Sequence, residues 1–199
     1  MDISKYKTPE KSDLAVDTCT LNILKRFEKK LSHIPVDVTG DGNCFFNAMS
    51  IALSGGETLA VELRVRTCIE MVKFQQYYET HALSERFSLV SPEYVDACLK
   101  CAQNYEFSSI YTIHALASVL CCTISSVYPC LNGLLDNRMN ILNATLPPRS
   151  KPKQFTNAKF YICWTTGSTR DIHYGKWDPN HFVPLIPMSQ FHEDQLKGK

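Results

Sequence analysis

Apolar residues recur at helical spacing along much of the 199-residue chain. Leu21, Leu24, Phe27 and Leu31 mark a first helix, which Asp17 or Thr18 can cap and which Pro35 closes off. An almost wholly apolar run from Cys44 to Leu53 is a second, stopped by Gly55-Gly56. Val61, Val65, Cys68, Ile69 and Val72 form the apolar face of a long amphipathic helix that Tyr77 and Tyr78 close, with Glu62, Arg64, Arg66 and Lys73 elsewhere on its surface. Ser91-Pro92-Glu93 joins an N-cap, a proline at the first helical position and a first-turn acid, which predicts a helix to about Gln103. Another helix starts at Ser108 or Ser109, with Ile110, Ile113, Ala117 and Leu120 on one face. Extended segments are predicted at Ile34–Val38, Thr123–Tyr128 and Phe160–Thr165. A closing strand runs over His181–Pro187, where Pro184 implies a sheet edge or an early end. Cys130 to Asn157, with Asn132-Gly133, Pro147-Pro148 and Pro152, reads as turns and loop around one short strand. Thr166-Gly167-Ser168 and Trp177-Asp178-Pro179-Asn180 are turn-like, and the stretches before Lys11 and after Met188 are polar.

Composition narrows the classes of function. An apolar fraction of 44% is ordinary for a folded domain. The net charge is +1 with Lys and Arg scattered, so no nucleic-acid groove is expected. Apolar stretches are too short to span a bilayer, and no membrane partner is expected. Met1 to Lys7 lacks the apolar run of a secretory leader, which places the chain in the cytosol or nucleus, with its nine cysteines as thiols. Cys98-x-x-Cys101 and the Cys121-Cys122 pair lack a second ligand pair at zinc spacing, so core thiols are expected and no metal or cofactor.

Candidate chemistry centres on Asp41-Gly42-Asn43-Cys44-Phe45-Phe46-Asn47-Ala48. The glycines of the polar turn from Thr39 to Asn43 allow close approach of another main chain, and Asn43 or Asp41 can cap the helix that follows. Cys44 thus falls on a first helical turn, where unpaired N–H groups and the helix dipole favour a thiolate. A lone cysteine entering a helix is more often a small core residue. A polar Gly-rich approach, and a histidine at the mouth of the last strand, raise Cys44 above that reading.

These residues resemble the ovarian-tumour (OTU) family of cysteine proteases, most of which are deubiquitinases. Asp41 to Ala48 is similar to the family's nucleophile motif, Asn180-His181-Phe182 to its histidine motif, and Glu62-Leu63-Arg64 and Ile113 to Ala117 to the two intervening helices. The His-Phe-Val-Pro-Leu ending is more similar to outlying members in mobile elements or vertebrates than to the main cellular group. The resemblance implies an α+β, papain-like fold with a small central sheet packed between helices. It implies an N-terminal tail and helix over 1–30, a catalytic domain over 31–188 and a polar tail over 189–199. Where the family commonly has a Trp-Gly-Gly-like turn, this chain reads Tyr105-Glu106-Phe107-Ser108-Ser109.

The implied activity is hydrolysis of the isopeptide bond after the C-terminal glycine of ubiquitin or a ubiquitin-like modifier, by a monomer, with ubiquitin or polyubiquitin as partner. Cys44 would be the nucleophile and His181, 137 positions on, its base and acid. Asp41 matches a position counted with the active site, though fixing the turn through backbone N–H groups suits a carboxylate there better. The main chain at Gly42 and Asn43 would offer N–H groups to the oxyanion. Many members carry Asp or Asn two residues after the histidine to orient its ring; here that residue is Val183. Asp37, Asn180 and Asp178 are the candidate replacements. Trp164 and Trp177 read as packing residues before groove residues, and Asp96, Glu106 and Asp178 are candidate acids further out. The missing orienter also motivates an alternative: an inactive OTU pseudo-enzyme that binds ubiquitin. A non-catalytic interaction domain unrelated to ubiquitin is the third reading.

Overall fold

The computed structural model describes residues 14–27, 32–129, 137–150, 158–166 and 179–191. Seven α-helices and five strands are assigned there: α1 (Thr18–Phe27), β1 (His33–Pro35), α2 (Cys44–Ser54), α3 (Ala60–Lys73), α4 (Gln75–Thr80), α5 (Ser84–Phe87), α6 (Tyr94–Cys101), α7 (Ile110–Leu120), β2 (Thr123–Val127), β3 (Ala144–Leu146), β4 (Lys159–Thr165) and β5 (His181–Pro187). The sheet order is β1-β5-β4-β2-β3, antiparallel throughout except for the parallel β2–β4 pair. This is the expected small mixed sheet among helices.

The two most apolar helices lie innermost. In α2 every residue from Cys44 to Ile51 is buried, and its C-terminus closes on Gly55 at φ +81. A left-handed terminal residue of this kind is the usual glycine stop. In α7, Ser109 and Thr112 form a capping box, and every residue from Ile110 to Ala117 is buried, so this helix has no outward face over that span. The 3-10 turn Glu57–Leu59 leads into α3, and a break at Phe74 separates α3 from α4.

Three local expectations change. The buried face of α3 is Ala60, Leu63, Arg64, Thr67 and Met71, while Val61, Val65, Ile69 and Val72 are 52–67% exposed. Helical spacing identified a stripe, but it is the outward one. Tertiary partners for Arg64, which reaches into a nest of carbonyls, reverse the helix, while the buried Thr67 hydroxyl is satisfied within it by donating to Leu63 O. Helix α6 begins at Tyr94 with Glu93 in the cap position, and the Ser91 hydroxyl caps nothing. Strand β5 is interior, between β1 and β4. Pro184 is tolerated because its C=O, and so the side of the chain where its N–H is missing, faces Val36, just past the end of β1. The single strand expected after Cys130 is β3, preceded by a 3-10 turn at Asn137–Leu142. Leu31, Asn132-Gly133, Pro152, Trp177, Asp178 and residues 1–13 and 192–199 lie outside the described residues; of the C-terminal stretch, Met188–Gln190 form a 3-10 turn and Phe191 is buried.

Helix α1 is fastened to this sheet. Asp17 caps it, accepting from Thr20 N–H at 2.6 Å. Thr20 Oγ1 lies 2.7 Å from Thr165 Oγ1 at the end of β4, Val16 bridges Val36, and Asp17 N–H donates to Pro35 O. The first helix therefore packs in one unit with the strands.

Candidate active site

Cys44 is the first residue of α2, and its sulfur is buried against β5. Strand β5 starts at His181, whose Cα partner on β4 is Thr165. The sheet thus carries the imidazole to the N-terminus of α2. Cys44 and His181 line one cavity of about 420 Å³, together with Gly40, Gly42, Val38, Asp37, Asn180, Thr166, Asp17 and Cys19. A Cβ on Gly40 would sit 3.7 Å from His181 Cε1, so the turn runs directly beside the ring.

The turn ahead of Cys44 is held by Asp41. Its Oδ1 accepts from Asn43 N–H at 2.9 Å and from Asn47 Nδ2 at 3.1 Å, and its Oδ2 accepts from Asn43 Nδ2 at 3.3 Å. This is the turn-fixing role that suits a carboxylate at that place. It corrects one expectation: the N–H of Asn43 is already engaged and does not face the cavity as an oxyanion donor. Gly42 and Cys44 N–H donate to no carbonyl or carboxylate among the described residues and are the turn's available donors. The Asn43 side chain makes no cap bond either; its Oδ1 accepts from Tyr105 N–H at 3.3 Å.

A second segment closes over the turn. Gly42 has φ +78, and a Cβ there would lie 1.9 Å from Tyr105 O. Arg64 fastens the two together: Nη2 donates to Gly42 O at 3.1 Å and Glu106 O at 3.0 Å, and Nη1 to Gln103 O at 2.8 Å and Cys101 O at 3.4 Å. Its guanidinium also lies 4.6 Å over the Phe46 ring. Sequence reasoning put Arg64 on the polar side of α3. The one available signal was an arginine out of step with the outward charges Glu62, Arg66 and Lys73. Phe107 then stacks on Phe182 at 5.0 Å, and Trp164, donating to Ser126 Oγ, packs on Phe182 at 4.4 Å. Trp164 is accordingly a core residue.

Electrostatically the pair is at rest. Burial pushes the Cys44 thiol up to about 11, against the pull of main-chain N–H groups at Phe182, Phe45 and Cys44 itself. Burial lowers the His181 imidazole, opposed by Asp17, Asp37, hydrogen bonding to the Val38 main chain, and Glu57. Both groups are neutral at pH 7. Forming a thiolate–imidazolium pair therefore works against burial at both groups.

Of the candidate orienters, Asp37 lines the cavity but is exposed, and its Oδ1 accepts the N–H of the next residue, Val38. Asn180 also lines the cavity. Val183 is fully buried. Asp17 and Cys19 reach the same cavity from α1, which no sequence signal anticipated. His114 is buried in α7, packed against the rings of Tyr78 and His81. Asp96 is exposed on α6, and Glu106 offers its main-chain carbonyl to Arg64.

Residues 35–98 and 89–165 match the family model described as "Vertnin, OTU domain". Vertnin of Danio rerio is 31% identical over 179 residues, covering 78% of this chain and 25% of its own length. Vertnin of Mus musculus is 31% identical over 204 residues, covering 91% of this chain and 26% of its own. The chain thus spans about a quarter of the length of the curated relatives it matches. The OTU domain of OTUD1 superposes with a TM-score of 0.53 over 84% of this chain and 95% of that one at 13% identity, which is a likeness of fold.

Proposed function

Because the chain belongs to the vertnin OTU-domain family, we propose that it is a thiol hydrolase of the deubiquitinase type, cleaving after the C-terminal glycine of ubiquitin or a ubiquitin-like modifier. The observation that carries this reading is the shared cavity: a cysteine opening a buried helix and a histidine opening a strand, 137 positions apart, face one space. In the proposed reaction, neutral His181 takes the Cys44 proton as the sulfur attacks the carbonyl carbon. Negative charge moves to the carbonyl oxygen, opposite the N–H groups of Gly42 and Cys44. The intermediate collapses, the imidazolium gives its proton to the departing lysine amine, and a thioester remains. Water, deprotonated by His181, then attacks the thioester and restores the thiol. The cytosol or nucleus is proposed as the compartment, where such a thiol stays reduced.

The neutral resting pair bears on how the reaction starts. With burial opposing charge on both groups, the thiol is protonated before substrate arrives. In this reading no ion pair stands ready, and the thiolate forms only as His181 takes the proton during attack. The same observation, with Val183 where a polar residue would orient the ring, favours a second reading: a ubiquitin-binding pseudo-enzyme.

A ubiquitin C-terminal electrophile separates the two. The hydrolase reading predicts a covalent adduct at Cys44 that is lost in Cys44→Ala, and cleavage within a panel of linkage-defined di-ubiquitins. A measurable ubiquitin complex without adduct or cleavage selects the pseudo-enzyme. No adduct and no complex, with ubiquitin-like modifiers also tried, refutes both.

A further inference from the structure

We infer that Asp17, carried into the cleft by the start of α1, is the carboxylate that positions His181 in place of the polar residue missing at 183. This rests on the hydrolase reading and adds to it a residue outside the matched span of 35–165. The placement is built from both sides. Val16 bridges Val36, Asp17 N–H donates to Pro35 O at 3.0 Å, and Asp37 N–H donates to Ala15 O at 2.8 Å. On the other side Thr20 Oγ1 meets Thr165 Oγ1 at 2.7 Å, both residues fully buried, and the Cys19 thiol reaches Thr166 O at 3.8 Å. Thr165 is the residue paired with His181 across β4 and β5. The beginning of α1 is thus clamped to the two segments that flank the histidine, and Asp17 lines the cavity with it.

Asp17 is half-buried and uses Oδ1 on the Thr20 N–H; its second oxygen has no such tie among the described residues. Asp37, the competing carboxylate, is exposed and folds back on its own main chain. Glu57 spends Oε1 on Thr39 N–H at 2.8 Å. The groups around the imidazole are therefore Asp17 and Cys19 from α1, Asp37 beyond β1, Glu57 from the 3-10 turn, Cys44 from α2, and Asn180 before β5. Among the charges that favour the imidazolium, Asp17 contributes most.

Asp17 also caps α1, so the test must part charge from cap. Asp17→Asn keeps a good capping oxygen and removes the charge. The His181 ring resonance, assigned by its loss in His181→Asn, is titrated by NMR in wild type, Asp17→Asn and Asp37→Asn. Expected is a fall of about one pH unit in the His181 midpoint in Asp17→Asn, with a smaller fall in Asp37→Asn. Where turnover is measurable, the acid limb of the kcat–pH profile moves down with the His181 midpoint in Asp17→Asn, with KM kept. Asp17→Ser, a second capping residue, repeats the measurement should the Asn variant unfold. An unchanged midpoint in Asp17→Asn, or a larger fall in Asp37→Asn, overturns the inference. The titration needs no substrate, so a protein that cleaves nothing refutes the hydrolase reading while the midpoint still decides the role of Asp17.

Discussion

Replacing Gly42 by alanine puts one methyl group where the structure has room for none. The new Cβ would stand 1.9 Å from Tyr105 O and 2.5 Å from Tyr105 C, where contacts below 3.0 Å essentially never occur. The Tyr105 carbonyl would have to retreat by about 1.1 Å, and it is main chain, not a side-chain tip that can swing away. Retreat pulls on the Tyr105 N–H bond to Asn43 Oδ1 and on the 3.0 Å bond from Arg64 to Glu106 O. The φ of +78 adds roughly 1–2 kcal/mol for any L side chain, and losing one or two of those bonds adds about 1–3 kcal/mol more. The total, about 2–5 kcal/mol, lowers Tm by roughly 4–20 °C in a domain of this size. Two other glycines serve as internal controls in the same thermal unfolding series. At Gly56 a Cβ meets nothing within 4 Å, so Gly56→Ala leaves Tm within about 2 °C. At Gly40 the nearest atom is His181 Cε1 at an ordinary 3.7 Å, so Gly40→Ala folds normally while touching the imidazole. A Gly42→Ala protein as stable as Gly56→Ala would refute the packing of residues 103–107 onto the nucleophile turn.

Other measurements probe the parts around it. Arg64→Met strands the carbonyls of Gly42, Gln103 and Glu106 and lowers stability by at least about 3 kcal/mol by denaturant unfolding; Arg64→Lys, lacking the fork, fails to restore it. Val65→Glu and Ile69→Glu, on the outward stripe of α3, each change stability by less than about 0.5 kcal/mol, whereas Leu63→Ala costs about 2–5. The reverse order would place the valine stripe inside. Burial, helped by His81, pushes the His114 imidazole down to about 4 in the folded protein, below the 6.5 of an unfolded chain. The unfolded state then binds the extra proton, so stability is full above pH 6.5 and falls as the pH drops towards 4, by on the order of 3 kcal/mol. His114→Gln flattens that limb whatever its effect at pH 7; an unchanged slope refutes the assignment. Burial likewise pushes Cys44 up to about 11, and Cys101 and Cys122 up to about 12. The folded state holds these protons more tightly than an unfolded thiol near 9.0, so stability falls as pH rises from 9, and Cys44→Ala lessens the slope.

Local rules reach as far as local causes do. The turn before Cys44, the glycine stop at Gly55, the cap at Asp17 and the strands β2 and β4 follow from a few neighbouring residues each, and all are readable in order along the chain. Helix α3 shows the limit. Its Val and Ile stripe has the right period, yet which stripe turns inward depends on where the carbonyls of residues 100–106 lie, and no property of α3 encodes that. Pro184 is similar: a proline marks a strand without an N–H, but whether a neighbour needs that N–H depends on where β1 stops. At the site, chemistry and position divide in the same way. A thiol at a helix start and a histidine at a strand mouth are visible as residues. Their common cavity, the carboxylate arriving from α1 and the burial that keeps the thiol protonated are long-range contacts. Bringing together groups 27 and 137 positions from Cys44 takes the closed sheet and the packed helices, because no stretch of backbone short enough to read locally spans them.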